Sequence, residues 1–318
     1  MEKMVGVYQE NMLFKRYEGN PVLMPSMWPY RVNAVFNAAA TVYDGKILLL
    51  ARVEDMRGFS HLCKATSVDG FTDWKIDKQP TMVPQPEEFP EEKYGLEDPR
   101  IVKLEHENRY AIVYTSFSKS GPLVSLATTE DFESFRRYGV VMPPDDKDAS
   151  LFPRKFNGRY VLLHRPSPTS YMLGAHIWIS FSPDLKHWGD SAVLLPARAG
   201  SWWDAYKVGL GPQPIETPEG WLIIYHGVKT TAAGSLYRLG LALLDLDDPS
   251  KLIARSDEWV FGPNEYYERV GDVPDVTFPC GIVLKGDQLI MYYGAADTTM
   301  AIATASIHEV LDFIRKQK

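Results

Sequence analysis

The chain has 318 residues, a formal net charge of −7 and a pI near 5.6, and this acidity disfavours non-specific binding to nucleic acid or to an anionic membrane. Two cysteines, Cys63 and Cys280, form no C-x-x-C motif, which suits a reducing compartment. No apolar run reaches membrane-spanning length, and the first ten residues do not form a signal peptide. We therefore expect one enzyme-sized domain over residues 1–318, located in the cytoplasm.

One sequence shape returns five times along the chain: a turn signal, a short apolar strand and a polar or charged group at the strand end. The copies span residues 44–52, 107–116, 157–165, 219–226 and 286–297. Their strand ends follow one another at steps of 64, 49, 61 and 67 residues, which is the length of one four-stranded sheet with its loops. The repeats predict an all-β fold, a five-bladed β-propeller; a two-sheet sandwich with long loops is the alternative.

A second recurrent element follows the first four copies. Residues 65–74, 127–135, 180–188 and 242–250 each join a strand to an Asp-containing turn and an aromatic or apolar anchor. They begin 62, 53 and 62 residues apart and so keep step with the first element. The matching order of two motifs favours repeated sheets over unrelated hairpins.

The last segment changes to helical spacing. Ile307, Val310, Leu311 and Ile314 lie on one face, and Ser306 with Glu309 three residues later matches a capping box. The pattern predicts an amphipathic helix at about 306–316 that packs on its own domain. A subunit interface is the alternative, which leaves a homo-oligomer open.

Several common catalytic chemistries lack their motifs. The seven histidines form no H-E-x-x-H or H-x-H arrangement, and there is neither a Walker loop nor a G-x-S-x-G elbow. Gly209-Leu-Gly211 runs into Pro212, so it cannot open the helix that a dinucleotide-binding turn requires, and a tight strand entry is the ordinary interpretation. We expect no metal and no cofactor.

The remaining polar residues fall into two sets that a propeller would bring to one central funnel. Charged residues at strand ends are usually just solvated, but here they recur at equivalent positions of the repeats. One set stands where the innermost strand of each blade is expected to begin: Asn37, Asp98, Asp148, Lys207 and Asp275. The other stands at or just after the end of the next strand: Arg52, Arg165, His226 and Asp297.

The sharpest local signal surrounds Asp98. Pro99 favours an extended backbone at Asp98, and in a regular strand the neighbouring Glu97 would point to the opposite side, which leaves one acid facing the funnel. Cationic or hydrogen-donating groups gathered on the same axis repel one another unless an anion joins them. The cluster therefore predicts an anion site, most simply for phosphate.

These residues resemble a known family. The chain is similar, over nearly its whole length and in order, to the β-mannoside phosphorylases of glycoside hydrolase family 130, which have a five-bladed propeller. The motifs that match best in combination are Gly95-Leu-Glu-Asp-Pro-Arg100 and Leu163-His-Arg-Pro166, and others are Val35-Phe-Asn37, Lys207-Val-Gly-Leu-Gly-Pro-Gln-Pro214 and Tyr292-Tyr-Gly-Ala-Ala-Asp297.

The resemblance implies roles for individual residues. Asp98 would be the general acid, and Asn37 and Asp297 would help to hold the mannosyl unit. The expected phosphate ligands are Arg52, Arg165, Lys207, His226 and, in preference to Arg154, Lys155. Further candidates for substrate contacts are Arg100, Asp148, Asp275 and Tyr206, with Trp202, Trp203, Tyr266 and Tyr267 as other aromatic side chains that could stack on sugars.

The activity implied is inverting phosphorolysis, in which phosphate is a substrate and replaces the second carboxylate that an inverting hydrolase uses. The product would be α-D-mannose 1-phosphate. The compact length favours short β-1,4-mannooligosaccharides over 1,2-linked ones, and mannose, glucose and N-acetylglucosamine all remain open as the sugar at the departing end. Two alternatives remain at this point: a β-mannosidase on the same fold, and a non-catalytic sugar-binding propeller.

Overall fold

A computed structural model describes residues 12–167, 174–232 and 234–317, and the protein is mostly β, as predicted. Two short 3₁₀ helices, Pro25–Met27 and Pro90–Glu92, and two α-helices, α1 (Tyr266–Arg269) and α2 (Ile307–Arg315), complete the described structure. The strands are β1 Lys15–Arg16, β2 Ala34–Tyr43, β3 Lys46–Glu54, β4 Ser60–Ser67, β5 Lys75–Ile76, β6 Gly95–Lys103, β7 Tyr110–Ser118, β8 Gly121–Thr129, β9 Arg136–Met142, β10 Asp146–Leu151, β11 Tyr160–Pro166, β12 Ile177–Ser182, β13 Gly189–Leu195, β14 Lys207–Leu210, β15 Ile215–Thr217, β16 Gly220–Thr231, β17 Gly234–Leu244, β18 Leu252–Arg255, β19 Thr277–Lys285, β20 Gln288–Ala295 and β21 Thr299–Ser306.

Hydrogen bonds group the described strands into four sheets. An eight-stranded sheet holds two antiparallel groups, β2–β5 and β6–β9, which are joined only by a parallel bridge between Ser60 and Gly95. The other sheets are β10–β13, β14–β18, and β19–β21 with β1. The five apolar segments predicted from the repeated shape correspond to β3, β7, β11, β16 and β20, each the second strand of its antiparallel group.

The first strands of the groups lie beside one another. β2 contacts β19 and β6, β6 also contacts β10, and β10 contacts β14. Adjacent sheets enclose the apolar core, which fills the space between them with buried aliphatic and aromatic side chains. β1, close to the start of the described chain, pairs with β21, so that residues from both ends of the sequence complete one sheet.

The second recurrent element forms a repeated turn. Asp69, Asp131, Asp184 and Asp245 each accept hydrogen bonds from the backbone N–H groups two and three residues further along, at 2.8–3.0 Å. Asp is suited to this position because its short carboxylate can reach its own backbone. The Asp-containing turns predicted after the strands are thus confirmed.

The predicted C-terminal helix is confirmed as α2. Its apolar side chains Ile307, Val310, Leu311 and Ile314 pack into the protein's own core. The predicted capping box is wrong, since Ser306 makes no side-chain capping bond and its hydroxyl donates to Asp287 Oδ2 at 3.2 Å. The helix is held by tertiary packing of its apolar face.

Candidate active site

Three first strands carry the same irregularity. In β2, β6 and β10 the pairing register shifts by a bulge, and a residue within each bulge has a left-handed backbone: Asn37 (φ 48°), Asp98 (φ 47°) and Asp148 (φ 54°). Asn and Asp tolerate this conformation better than other non-glycine residues, and bulges re-aim side chains. The bulges direct these three polar side chains into one cavity.

The second strands supply the partners. Arg52 pairs opposite Phe36, Arg165 opposite Lys147, and His226 opposite Gly209. Together with the bulge residues they line a cavity of about 120 Å³, whose full lining is Asn37, Arg52, Asp98, Lys147, Asp148, Arg165, Lys207, His226, Tyr237, Val273, Val276, Phe278 and Asp297.

Gly209 and Gly294 make room for these groups. A Cβ atom at Gly209 would lie 2.4 Å from both Asp148 Oδ2 and His226 Cε1, and one at Gly294 would lie 2.0 Å from Asn37 Oδ1. Neither position can accept a side chain without displacing a polar group of the cavity. Gly209 therefore lies within β14 beside the cavity, and its interpretation as a simple strand entry is wrong.

One side of the cavity, which we call the acid side, consists of Asn37, Arg52, Asp98 and Asp297. Asp98 Oδ1 accepts hydrogen bonds from Asn37 Nδ2 at 2.9 Å and from Arg52 Nη1 at 3.1 Å. Arg52 Nη2 donates to Glu97 Oε1 at 3.1 Å. Glu97 and Asp98 thus contact one guanidinium, and the expectation that they point to opposite sides is wrong because the bulge breaks the strand's alternation.

The two aspartates on the acid side differ in proton affinity. Burial raises the pKa of Asp98, but Arg52 and Lys147 outweigh it and hold that pKa below its ordinary value. Burial and the charge of Asp98 raise the pKa of Asp297 to about 6. Carboxylates in one cavity with pKa values shifted in opposite directions are typical of catalytic sites.

The opposite side, which we call the cationic side, consists of Lys147, Asp148, Arg165, Lys207 and His226. Arg165 Nε and Nη2 each lie 2.8 Å from Asp148 Oδ2, and His226 Nε2 lies 3.4 Å from the same oxygen. Burial lowers the pKa of His226 to about 3, so its imidazole is neutral at physiological pH. Burial and Arg165 lower the pKa of Lys207 to about 8.

The cationic side has more charge than its own partners neutralise. Among the described residues no carboxylate oxygen lies within 4.0 Å of the Lys147 or Lys207 ammonium, and Lys207 Nζ lies 5.3 Å from the centre of the Tyr237 ring. Buried Asp148 Oδ1 and His226 Nδ1 also lack a hydrogen-bond partner within the part of the chain that the structure describes. The two ammonium groups can donate to the oxygens of an anion, whereas the Asp148 carboxylate can only accept a hydrogen bond.

Two predicted site residues, Arg100 and Asp275, lie outside the cavity lining. The buried Arg100 guanidinium donates to the backbone carbonyls of Leu210 and Gly211 and of Asp98, each at 2.9 Å, and so acts as a brace behind the acid. Asp275 is near the surface and pairs with Arg269 at 3.1 Å. Both were expected to contact substrate, and the geometry does not place either side chain at the cavity wall.

Lys155 and Tyr206 are also outside the cavity lining. Lys155 Nζ lies 3.7 Å from Glu107 Oε1 and 4.2 Å from the centre of the Tyr160 ring. Tyr206 is 54% exposed. The predicted phosphate role of Lys155 therefore has no geometric support. Of the other aromatic candidates, Trp203 is buried against Tyr225 and packs in the core.

Sequence reasoning missed five lining residues: Lys147, Tyr237, Val273, Val276 and Phe278. Lys147 had a usable signal, because it precedes Asp148 as Glu97 precedes Asp98, next to the bulge. Tyr237 comes from β17, a third strand, and no repeat in the sequence pointed to it. Val273 and Val276 lie between α1 and β19 and close one edge of the cavity.

The described residues contain no group of three or more His, Cys, Asp or Glu side chains arranged to hold a metal ion. In the same ranges no helix has the length and apolar character needed to cross a bilayer. The cavity brings buried carboxylates together with lysine and arginine side chains. Such an arrangement is suited to proton transfer beside an anion.

Comparison with known proteins agrees with this class of site. A family model described as β-1,4-mannooligosaccharide phosphorylase matches residues 10–316. A 1,2-β-oligomannan phosphorylase from Thermoanaerobacter sp. (strain X514) is 40% identical, over 93% of this chain and 98% of that protein. A β-1,4-mannooligosaccharide phosphorylase from Ruminococcus albus is 36% identical, over 94% and 90%.

A solved structure of β-1,2-mannobiose phosphorylase from Listeria innocua, in complex with β-1,2-mannobiose, aligns with a TM-score of 0.86 and 33% identity, over 96% of this chain and 100% of that one. The protein is thus an enzyme of the phosphorylase type, which transfers a glycosyl group to phosphate. The chain belongs to glycoside hydrolase family 130.

Proposed function

We propose that the protein cleaves short β-mannosides by inverting phosphorolysis and releases α-D-mannose 1-phosphate. The observation that carries this proposal is a pair of half-buried ammonium groups, Lys147 and Lys207, which have no carboxylate within ion-pair distance among the described residues and line the same cavity as Arg165 and Asp98. The names of the relatives support a mannoside substrate and phosphate as the second substrate.

The proposal includes a five-bladed propeller as the scaffold. The eight-stranded sheet would count as two blades, since only the Ser60–Gly95 bridge joins its two antiparallel groups. The contacts among β2, β6, β10, β14 and β19 support a radial arrangement with these strands innermost.

Phosphate would bind on the cationic side. Lys147, Arg165 and Lys207 offer donors to its oxygens, and Asp148 holds Arg165 and His226 in place through contacts of 2.8 and 3.4 Å. A phosphate oxygen attacks the anomeric carbon, the bond from that carbon to the glycosidic oxygen breaks, and the leaving oxygen takes a proton that Asp98 supplies directly or through a sugar hydroxyl. The β-mannoside becomes the α-phosphate because attack comes from the opposite face.

The low pKa of Asp98 gives phosphate a second role. Lys147 and Arg52 lower that pKa, and a bound phosphate anion offsets their field, so that the pKa rises toward the range a general acid needs. Phosphate binding and protonation of Asp98 would therefore support each other. Asn37 and Asp297 would hold the mannosyl unit between them.

The test is a panel of β-1,4- and β-1,2-linked mannobiose and mannotriose, each incubated with and without inorganic phosphate. We expect turnover only with phosphate, with α-mannose 1-phosphate identified by ³¹P and ¹H NMR, and the highest rate on the β-1,4 substrates. Equal release of free mannose with and without phosphate would establish a β-mannosidase instead. Binding without any turnover would establish a sugar-binding propeller. A higher rate on β-1,2 substrates would show that the proposed linkage preference is wrong and would leave the proposed reaction unchanged.

A further inference from the structure

We propose that the leaving part of the mannoside rests on an aromatic shelf formed by Phe59, Tyr94 and Phe117. This inference deepens the proposed function and rests on it for the identity of the sugar. The shelf would be the binding site for the sugars on the departing side of the cleaved bond, and so would set the preference for chain length and acceptor.

The three rings come from different segments and pack together without being buried. The ring centres of Phe59 and Tyr94 lie 5.6 Å apart and those of Tyr94 and Phe117 lie 6.1 Å apart. Phe59 is 36% and Phe117 38% exposed, and Tyr94 is half-buried. The Tyr94 N–H donates to the Phe117 carbonyl at 2.8 Å, which fixes two of the three rings. Contiguous exposed aromatic surface marks a binding site more often than isolated exposed residues do.

The shelf adjoins the acid side of the cavity. Phe59 immediately precedes Ser60, whose hydroxyl accepts a hydrogen bond from Arg52 Nε at 2.9 Å. Tyr94 precedes Gly95, the bridge partner of Ser60. Phe59 is thus one residue from the serine that anchors Arg52, and Tyr94 is one residue from the bridge partner of that serine.

The geometry of an inverting displacement places the leaving group on the same side of the cavity as this shelf. In an inverting displacement the nucleophile and the leaving group lie on opposite sides of the anomeric carbon. Phosphate on the cationic side, among Lys147, Arg165 and Lys207, puts the departing oxygen on the side of Asp98. A chain that continues from that oxygen passes outward over β3, β4 and β6, where the shelf lies.

The chemistry of the shelf fits a sugar. Pyranose rings present apolar C–H faces that stack on aromatic rings, while their hydroxyls need polar partners at the edge. The Arg57 guanidinium lies 5.1 Å from the centre of the Phe59 ring and is 2.7 Å from Asp55, so a charged pair rims the shelf. The Asp55 carboxylate also accepts the Phe59 N–H at 3.2 Å and shapes this loop.

The experiment compares Phe59→Ala, Phe117→Ala and the double variant with Phe59→Tyr and Phe117→Tyr, which keep a ring. Val193→Ala, a 44% exposed apolar residue on β13, is the control for loss of surface side chains. Binding of β-linked mannotriose to each variant is measured by calorimetry without phosphate, so that turnover is not required. Each alanine variant should bind about three- to tenfold more weakly, whereas the tyrosine and control variants should stay within about twofold of wild type.

Kinetics of the reverse reaction provide the second measurement. The KM for a mannose or mannobiose acceptor should rise by about three- to tenfold in the alanine variants, while the KM for α-mannose 1-phosphate stays unchanged. Unchanged mannotriose binding, or equal rises in both KM values, would overturn the shelf. A drop in molecular mass by light scattering with unchanged sugar binding would identify the shelf as a subunit interface and would also overturn it. If the wild type releases mannose independently of phosphate, the proposed function fails, but mannotriose binding still decides the shelf.

Discussion

The two sides of the cavity differ in how far their cationic side chains are paired with carboxylates. On the acid side, Arg52 is held by Asp98 and Glu97 at 3.1 Å each, so its charge is already matched by carboxylates. On the cationic side, one carboxylate, Asp148, serves Arg165, while Lys147 and Lys207 have no carboxylate within ion-pair distance among the described residues. The difference teaches that the acid side already matches its cation with carboxylates, whereas the cationic side lacks an anion to match its lysines.

The largest effect is expected from Asp98→Asn, which removes the transferable proton on the acid side. Phosphorolysis should fall by roughly 10²–10⁴ because general acid catalysis contributes about that much. Mannoside affinity and melting temperature should change little, since Asn can still accept the bonds from Asn37 and Arg52. Steady-state rates and calorimetric sugar affinity check this.

Asp275→Asn is the matched control, since the same change is made to a surface carboxylate that pairs with Arg269. We expect near wild-type rates from it. If Asp98→Asn kept more than about a tenth of the activity, the general acid would have to be another residue. A loss of activity in Asp275→Asn would restore the sequence-based prediction that Asp275 contacts substrate.

The next effect tests the cationic side through Lys207→Met. This variant removes one charge and keeps most of the side-chain volume, so kcat/KM for phosphate should fall about ten- to a hundredfold with little change in the KM for mannoside. Lys207 is a cleaner target than Arg165, whose removal would leave Asp148 buried without its cation. Initial rates with phosphate and mannoside varied separately measure both constants.

Lys155→Met is the control, because Lys155 is the same kind of residue but lies beside Glu107. A matching loss in that variant would remove the distinction between the two lysines.

The pH dependence of the reaction provides a further test of Lys207. Its ammonium has a pKa near 8 and loses its charge above that pH, so kcat/KM for phosphate should decline above about pH 8. Lys207→Arg should shift the decline upward.

The last effect concerns stability instead of turnover and comes from Asp297. Its pKa is raised to about 6, so the folded state binds a proton more tightly than the unfolded chain, and the resulting stability is present at low pH and lost as pH rises through 6. Ionised Asp297 then costs on the order of 2–3 kcal/mol at neutral pH. Asp297→Asn should therefore melt higher than wild type at about pH 7.5 while turning over more slowly.

The stability gain of Asp297→Asn should shrink as the pH approaches about 4, where the wild-type carboxyl is protonated too. Thermal unfolding across this pH range is the measurement. A difference in melting temperature that does not vary with pH would mean that titration of Asp297 is not its cause.

The repeated strands were predictable because each carries its own local signal. A turn followed by an apolar run predicts the second strand of each antiparallel group. The Asp turns are predictable because the Asp side chain accepts hydrogen bonds from the backbone that follows it. The first strands, the four-stranded grouping and the pairing of β1 with β21 depend on contacts between distant residues, which a local pattern does not contain.

The site was predictable where residues occupy equivalent positions in the repeats. Asn37, Asp98 and Asp148, and the strand-end residues Arg52 and Arg165, all reach the cavity. The predictions that failed concern the direction in which individual side chains point.

A bulge turns Glu97 and Asp98 toward the same guanidinium. Another bulge explains the difference between Lys147 and Lys155: the lysine next to the bulge enters the cavity, and the predicted one does not. The two lysines differ in sequence only by their neighbours, since Lys147 precedes the bulge residue Asp148 and Lys155 precedes Phe156.

The pairing of β1 with β21 sets an order of events during synthesis. Lys15 and Arg16 leave the ribosome long before their partners Thr304 and Ala303 are made. The sheet that carries β19 and β20, and with it the loop of Asp297, cannot be completed until β21 has also been synthesised. Contacts this distant in sequence slow folding, so the enzyme would gain its active site only after synthesis has passed β21.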